Sequence, residues 1–397
     1  MTALAFAAAA LLSLATWLYL LLFHGRFWLA DQRLPLAESR PPAAGSWPAV
    51  VAIVPARNEA EVLPSTLPTL LGQDYPGPMS IVLVDDASDD ATGQVAEKLA
   101  AAQPGLPFEL VHGDGPAPGW AGKVAAMRRG LESAGRAEYV LFTDADIAHP
   151  ADSVRRLVEL GEADGLDLVS LMVLLRTESA AERAIVPAFV YSFAQLYPFP
   201  RVNRPHSRTA AAAGGCMLVR RSTLDRAGGL DQIRAARIDD VALGTLIKRG
   251  AAGGRIWLGL TARVRSVRPY PKLADLWDMI ARSAYTQLRY SPLLLFGTLL
   301  GLLLMYAVPP VVGLIFAAVA LGGGGGNWSL VTAVAALAAW AALSVSYLPT
   351  LRLYGLRSWR APALPLVMML YGAMTFDSAL RHHRGSGGRW KGRVEER

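Results

Sequence analysis

Residues 290–351 carry no charged side chain. A run of that length is too apolar to stay in water, and the stretch GGGGGN at 322–327 divides it into two blocks. Each block is long enough to cross a bilayer as a helix. Pro309 and Pro310 are expected to kink the first block, because proline lacks the N–H that a helix interior needs. The sequence therefore predicts two transmembrane helices over 290–351.

A second uncharged segment lies at the start of the sequence, over residues 2–23. It is long enough to span, and it has neither the basic leader nor the short apolar core of a cleaved signal peptide. We therefore predict a retained membrane anchor over 1–25. Arg26 and Arg33 come after the anchor while no Lys or Arg precedes it, so the positive-inside rule places the next part of the chain in the cytoplasm. A Pro-rich linker is predicted over 26–48.

The third apolar block, residues 361–376, is shorter and contains two prolines. It belongs to a region, 352–380, that begins with a basic loop, and a basic tail over 381–397 comes after it. If the block spans the membrane, one of the two basic stretches lies outside, against the charge bias. An interfacial or re-entrant helix keeps both inside. We favour the interfacial placement and keep the spanning helix as the alternative.

Overall composition narrows the class of protein. The chain is 53% hydrophobic and 18% charged, with a net charge of +7, which is more apolar than an ordinary soluble protein. The single cysteine, Cys216, excludes an internal disulfide and a cysteine-rich metal site. The basic residues concentrate near the membrane boundaries and no nucleic-acid-binding motif is present, so we expect no nucleic-acid partner.

Between residues 49 and 289, short β-rich runs alternate with helix-like segments. The strand candidates are 50–56, 80–86, 108–113, 138–144 and 167–173. This alternation predicts an α/β fold with a mostly parallel central sheet and helices on both faces.

Polar side chains lie directly after three of these strands. They are PARNE at 55–59, DDASDDAT at 85–92 and DAD at 144–146. Ligands of open α/β sheets bind outside the carboxyl ends of the strands, so these residues are candidates for a binding site. Simpler roles stay open for several of them. Ser88 to Asp90 could cap the next helix, Glu59 could be an ordinary first-turn acid, and a lone D-x-D also occurs by chance.

Two later helix starts carry unusual charges. Lys123 falls in the first turn of a helix that begins near Ala121, where a cation is electrostatically misplaced unless it meets a phosphate. A solvated lysine is the alternative. Asp239 and Asp240 start a helix that runs to about Arg249. They could cap it, or one of them could act as a general base.

The ordered series PARNE, VDDASDDAT, GWAGK, TDAD, GGCMLVRR and IDDVALG resembles the membrane-associated family 2 glycosyltransferases, which have the GT-A fold. The resemblance covers about residues 49–289, which makes this region a cytoplasmic GT-A catalytic domain. With YTQLRYSP at 285–292 and WKGR at 390–393, the whole chain is most similar to the hopene-associated glycosyltransferases. The resemblance implies inverting transfer of one sugar from a nucleotide-diphosphate sugar.

The resemblance also implies roles for single residues. Asp146 would coordinate Mg²⁺ or Mn²⁺ between the two phosphates, and Asp240 would be the general base. Asp86 would accept from the nucleobase, and Lys123 would meet a phosphate. Donor binding is assigned to Pro55, Arg57, Glu59, Asp86, Lys123, Asp144 and Arg282.

Two departures from the family pattern bear on the function. Asp239 stands where the family often has Glu, a mild change. Of the Q-x-x-R-W motif of processive synthases, the segment MIARS at 279–283 keeps only Arg282. The missing Trp argues against polymer synthesis.

The leading hypothesis is thus transfer of a single sugar to a lipid hydroxyl, with a hopanoid as the candidate acceptor. It places a multi-pass protein in the bacterial inner membrane, acting at the cytoplasmic face. Residues 192–208, which mix aromatic and basic side chains, form either an interfacial element that admits the acceptor or an ordinary surface segment. The alternatives are a processive or short-polymer synthase and a catalytically silent scaffold.

Overall fold

The computed structural model describes residues 2–34, 46–251, 253–324, 326–384, 389–390 and 393–394. Residues 35–45 of the predicted linker and most of the basic tail therefore lie outside the described residues. Contacts divide the chain into two units. The helical unit comprises Met1–Ala30, Thr177–Pro200 and Tyr270–Gly388. The sheet unit comprises Asp31–Arg176, Arg201–Pro269 and Arg389–Arg397.

The described residues form ten strands and fifteen α-helices. The strands β1 to β10 are, in order, Val50–Ala56, Met79–Asp86, Phe108–Gly113, Tyr139–Thr143, Ile147–Ala148, Leu168–Leu174, Cys216–Arg220, Ile256–Ser266, Arg389–Trp390 and Arg393–Val394. The helices α1 to α15 are, in order, Thr2–Leu22, Leu63–Leu71, Thr92–Ala102, Gly122–Ser133, Ser153–Ala163, Ala180–Leu196, Phe199–Val202, Arg221–Arg226, Asp239–Arg249, Leu273–Ala281, Ala284–Gln287, Pro292–Leu302, Val308–Leu321, Gly326–Leu353 and Leu364–His383.

The sheet unit is built on one eight-stranded sheet in the order β3-β2-β1-β4-β7-β6-β8-β5. Its pairs β1–β2, β1–β4, β2–β3 and β6–β8 are parallel. The pairs β4–β7, β6–β7 and β5–β8 are antiparallel. The predicted α/β fold is confirmed, with a mixed sheet in which parallel pairs predominate on the β3 side.

Burial explains why the central strands were easy to predict. Every residue of β1 is buried and its sequence, VVAIVPA, is almost continuously apolar, as expected for a parallel strand covered on both faces. Side chains such as Leu83, Leu141 and Leu218 form the core of the sheet unit. The five predicted strands agree with β1, β2, β3, β4 and β6 to within one residue at each end.

The eleven-residue strand β8 was not predicted. In its second half Val264 and Ser266 are buried, whereas Arg263 and Arg265, which alternate with them, are exposed. The interleaved arginines make this half look like a solvated segment in the sequence, although the alternation is that of a strand with one buried face. The carboxyl end of β8 lies beside a predicted site residue, Asp146.

The helical unit contains four stretches that are long and apolar enough to cross a membrane, counted over the described residues. They are Leu4–Leu22, Pro292–Leu321, Gly326–Leu353 and Ser358–His383. The predicted transmembrane helices at 2–23 and 290–351 match the first three of them.

The two prolines predicted to kink the first block are preceded by a π-helical turn, Leu303–Ala307. Neither Pro309 nor Pro310 has an N–H, so the carbonyl of Met305 finds no donor in its own helix. The indole Nε1 of Trp17, on α1, donates to this carbonyl at 2.9 Å. A donor from a neighbouring helix thus satisfies the group that the prolines leave open.

Helix α15 extends beyond the predicted apolar block, to His383. Just before its first residue, the carbonyl of Pro362 accepts from the indole of Trp340, which lies halfway along α14. Near its other end, the ring of His382 stacks on Tyr290 with centroids 4.3 Å apart, and the N–H of Tyr285 donates to Ser378. Helix α15 therefore runs from the middle of α14 back to the residues that precede α12.

Candidate functional site

A cluster of charges surrounds Lys123 in the sheet unit. Lys123 is the second residue of α4, and its Nζ lies 2.7 Å from Asp144 Oδ1 and 3.1 Å from Asp239 Oδ2. Asp144 comes directly after β4 and Asp239 begins α9, so a helix start, a strand end and a second helix start meet here. The alternative of a solvated lysine is wrong, because the side chain is only 20% exposed and has two acidic partners.

Asp240 lies beside this cluster, with both carboxylate oxygens held by backbone donors. Oδ2 accepts from the N–H of Gly214 at 3.0 Å, and Oδ1 from the N–H of Val241 at 2.7 Å. Burial and, to a smaller extent, the charge of Asp239 raise the pKa of Asp240 to about 7, against the lowering effect of Lys123 and the two N–H groups. A carboxyl group with such a pKa can take up a proton near neutral pH.

Gly214 allows these groups to approach one another. A Cβ at this position would lie 3.0 Å from Lys123 Nζ and 3.5 Å from Asp240 Oδ2. The glycine at position 214, in the motif GGCMLVRR, is thus explained by close approach of charged side chains.

Asp146 is held by the residues at the end of β8. Ser266 Oγ donates to Asp146 Oδ2 at 2.5 Å, and the N–H of Val267 donates to the Asp146 carbonyl at 2.9 Å. Arg268 Nε lies 3.5 Å from the same Oδ2. Arg268 Nη2 also donates to both carboxylate oxygens of Glu59, at 2.7 Å each. Glu59 is therefore an ion-pair partner of Arg268, and it precedes α2 instead of lying in its first turn.

Arg57 supports the loop that comes after β2. Its Nη1 donates to the carbonyls of Asp86 at 2.7 Å and Ala87 at 2.5 Å, and its Nη2 lies 3.2 Å from Asp89. Ala87 has a φ of 53°, an unusual conformation for a residue with a Cβ, and the two bonds from Arg57 hold it in place. The structure therefore gives Arg57 a positioning role, and its predicted contact with a donor remains a prediction.

Pro55 and Asp86 lie at the ends of the two central strands. Pro55 comes after the last residue of β1 that pairs with β4, Ile53, so its missing N–H costs no hydrogen bond on that side. Asp86 is 2% exposed at the end of β2. In the same loop, Asp90 Oδ1 accepts from the N–H of Thr92, the first residue of α3, as the capping alternative predicted.

The remaining predicted site residue, Arg282, belongs to the helical unit. It is the residue that ends α10, and its N–H donates to the carbonyl of Asp278. Its proposed contact with a diphosphate stays a prediction.

The carboxylates of Asp144 and Asp146 are suitable ligands for a divalent cation, but they supply only part of its coordination. Among the described residues, no three His, Cys, Asp or Glu side chains are arranged as a metal site. Burial raises the pKa of Asp144, and the negative charge of Asp146 raises it further, while Lys123 lowers it. Because 34% of the Asp144 side chain is exposed, water screens part of this effect. Mg²⁺ is commonly held by one or two carboxylates, with phosphates and water as its other ligands. This pair fits that arrangement once a diphosphate is bound.

Two residues of this site, Ser266 and Arg268, were not predicted from the sequence. Both depend on β8, whose carboxyl end lies beside Asp146. The alternating pattern ARVRS at 262–266 was the available signal, because residues just after a strand end are candidates in this fold.

One family of proteins matches nearly the whole chain. The sequence profile of glycosyl transferase family 21 matches residues 5–394. The chain belongs to this family. The resemblance found in the sequence pointed to family 2, whereas the family that matches is family 21. The broader prediction, a glycosyltransferase with a GT-A-like fold, is confirmed, and the hopene-associated subtype remains a proposal.

Two curated relatives share part of the chain. An undecaprenyl-phosphate 4-deoxy-4-formamido-L-arabinose transferase of Pseudomonas fluorescens is 32% identical over 184 residues, 44% of this chain and 47% of the relative. An undecaprenyl-phosphate mannosyltransferase of Micrococcus luteus is 34% identical over 110 residues, 28% of this chain and 43% of the relative. The chain thus spans about half the length of the curated relatives it matches.

A solved structure resembles nearly the whole chain. It is the mannosyltransferase PcManGT from Pyrobaculum calidifontis in complex with GDP-Man and Mn²⁺, with a TM-score of 0.55 and 24% identity. The alignment covers 95% of this chain and 99% of that structure. At this identity the likeness shows the fold.

Proposed function

We propose that the protein transfers one sugar from a nucleotide-diphosphate sugar to a lipid acceptor at the membrane surface. The observation that carries this proposal is Asp240, a half-buried carboxyl with a pKa near 7, held beside the cluster of Lys123 and Asp144. Membership of a glycosyltransferase family and four apolar helices support the same conclusion.

Donor binding is proposed at the ends of β1, β2 and β4. The ammonium of Lys123, at the start of α4, is placed to meet a phosphate, because the helix N-terminus adds its own positive field. Asp146, with Asp144, would hold Mg²⁺ or Mn²⁺. That ion would offset charge on the departing nucleoside diphosphate as a Lewis acid.

The transfer itself needs one proton movement on the protein. The acceptor hydroxyl gives its proton to Asp240 as its oxygen forms a bond to the anomeric carbon. The bond from that carbon to the phosphate oxygen breaks, and the nucleoside diphosphate leaves with the bonding electrons. Because the acceptor displaces the leaving group directly, the anomeric configuration is inverted.

Two classes of lipid acceptor can be told apart by their chemistry. A hydroxyl needs a base, which favours a lipid alcohol such as a hopanoid, since Asp240 has the pKa of a base that works near neutral pH. A lipid phosphate is the second candidate, because two relatives are named for undecaprenyl phosphate. Its oxygens are already ionised at neutral pH, so it needs no base.

Purified full-length protein, a labelled nucleotide sugar and either a polycyclic lipid alcohol or undecaprenyl phosphate would separate these acceptors. Transfer to the alcohol should give an acid-stable glycoside that carries a single sugar. Label found only in an acid-labile product would identify the phosphate instead. A ladder of sugars would overturn single transfer in favour of a short-polymer synthase.

We propose that the reaction takes place at the cytoplasmic face of the bacterial inner membrane. The orientation rests on Arg26 and Arg33, which come soon after α1, because basic residues that flank a membrane helix favour the cytoplasmic side.

A further inference from the structure

Each acid of the D-x-D motif already has a cation beside it. Asp144 Oδ1 lies 2.7 Å from Lys123 Nζ, and Asp146 Oδ2 lies 3.5 Å from Arg268 Nε. A metal ion that binds Asp146 must therefore share this carboxylate with a guanidinium. The proposed roles of the other residues do not account for Arg268.

Arg268 is fixed in this position by Glu59. Both oxygens of the Glu59 carboxylate accept from Arg268 Nη2, and the Glu59 side chain is only 8% exposed. The N–H of Glu59 in turn donates to Thr92 Oγ1 at 2.8 Å, which ties the pair to the start of α3. Moving the guanidinium away would leave a buried carboxylate without its partner, which is costly.

We propose that Arg268 is a positioning residue that weakens metal binding at Asp146 until the diphosphate of the donor is present, so that metal and donor bind together. This inference rests on the proposed function, because it assumes a diphosphate at this site. In this proposal Arg268 makes the binding of the metal ion depend on the binding of the diphosphate.

The physical reason is charge balance. A divalent cation at Asp146 lies a few ångströms from a fixed positive charge, and the repulsion is strong because Arg268 and Asp146 are only 23% and 13% exposed. A diphosphate brings negative charge that attracts both the metal ion and the guanidinium. Metal and diphosphate then strengthen each other's binding by the same factor, since coupling between two ligands is reciprocal.

A purely structural role makes the opposite prediction. If Arg268 only fastens the end of β8 to the loop after β1, its loss should disorder Asp146. Metal affinity would then fall with the stability of the protein. The sign of the change in metal affinity therefore decides between the two roles.

Full-length protein in neutral detergent, titrated with Mn²⁺ and followed by the electron paramagnetic resonance signal of the free ion, tests the proposal. The titration is made alone and with GDP or UDP. Arg268→Gln should bind Mn²⁺ alone about tenfold more tightly than the wild type, and the strengthening by nucleoside diphosphate should shrink by about the same factor. Unchanged or weaker Mn²⁺ binding by Arg268→Gln would overturn it.

Two further variants serve as controls for this result. Arg265→Gln removes an exposed arginine whose Nε donates to the Ala262 carbonyl on the same strand, and it should behave as the wild type. Arg268→Lys keeps the charge but not the paired donors, so its affinity for Mn²⁺ alone should stay within about twofold of the wild type. If Lys and Gln raise the affinity equally, charge is not the cause and the proposal is wrong.

The same titrations separate this inference from the proposed function. If neither GDP nor UDP alters Mn²⁺ binding in any variant, the diphosphate site itself is wrong. If a nucleoside diphosphate strengthens Mn²⁺ binding and Arg268→Gln matches the wild type, only the role of Arg268 is lost.

Discussion

At the scale of single residues, Asp240 carries the proposed chemistry. Asp240→Asn keeps the size of the side chain but cannot take up a proton. Transfer to a lipid alcohol should fall by about 10²- to 10⁴-fold, while the affinity for the nucleotide sugar stays close to that of the wild type. Initial rates and donor binding are measured on the same preparation.

Asp231→Asn is the matched control for this substitution. Asp231 is an exposed acid before α9 that pairs with Arg128, outside the proposed site. Its loss should leave the rate unchanged. Full transfer by the Asp240→Asn variant would remove Asp240 from its role.

The raised pKa of Asp240 gives a prediction for pH. The base must be ionised to act, so the rate should fall as the pH drops through about 7 and level off above it. Asp239→Asn removes the neighbouring negative charge that raises this pKa. The midpoint of the rate profile should therefore move to lower pH, and a midpoint that stays in place or moves upward would contradict the assignment.

The sequence predicted candidate site residues where a strand end or a helix start positions the side chain. Asp144, Lys123 and Asp240 were predicted by those rules, and the structure brings Lys123 within 3.1 Å of Asp144 and Asp239. The partners of Arg57 and Glu59 could not be predicted. Both depend on contacts between segments far apart in the chain, and the second needed strand β8, which was missed.

At the scale of elements, α4 positions Lys123 by packing closely on the sheet. A Cβ at Gly130 would lie 2.5 Å from Ile53 Cγ2 and 3.0 Å from Val84 Cγ2, which belong to β1 and β2. Glycine inside a helix normally costs about 1 kcal/mol relative to alanine. Here glycine is needed because the helix could not otherwise approach the strands.

Gly130→Ala should therefore destabilise the protein by about 1–3 kcal/mol, in spite of the better helix propensity of alanine. The two neighbours are β-branched core side chains that cannot turn aside. Thermal unfolding in detergent measures the effect. Gly105→Ala, where the nearest atom to a new Cβ is 3.8 Å away, is the control and should change little. An equal or higher unfolding temperature for Gly130→Ala would contradict this packing.

Two-sided burial made the central strands predictable. The apolar runs of β1 and β2 are readily recognised in the sequence, since both faces of these strands are covered. Strand β8 has one face partly exposed, and its arginines obscure it. Gly214 belongs to the motif GGCMLVRR, but the reason for this glycine, the approach of Lys123 and Asp240, needed the structure.

At the scale of the whole molecule, the membrane placement of α15 is the open question from the sequence. Charge on both sides of residues 361–376 favoured an interfacial or re-entrant helix and left the spanning helix as the alternative. The contacts of Pro362 with Trp340 and of His382 with Tyr290 support the interfacial or re-entrant alternative. These contacts place the start of α15 level with the middle of α14 and its end beside the residues that precede α12. A helix with these two ends does not cross the full length of α14.

Labelling of introduced cysteines with an impermeant maleimide tests this placement. Cysteines that replace Arg357, in the loop after α14, and Arg384 should react from the same side of the membrane, and a cysteine that replaces Asn327, at the start of α14, from the other. Native Cys216 does not interfere, because it is buried and burial raises the pKa of its thiol to about 12. Labelling of position 384 together with position 327 would show that α15 spans.

The most direct test of the central claim measures the glycosylated lipid and the leaving group in the same assay. Full-length protein in liposomes made from bacterial lipid extract receives a labelled nucleotide sugar, and released nucleoside diphosphate and labelled lipid are both counted. The account predicts one nucleoside diphosphate per sugar found in lipid for the wild type, and neither product above background for Asp240→Asn. Labelled lipid formed at the wild-type rate by Asp240→Asn, or nucleoside diphosphate released with no sugar in lipid, would contradict it.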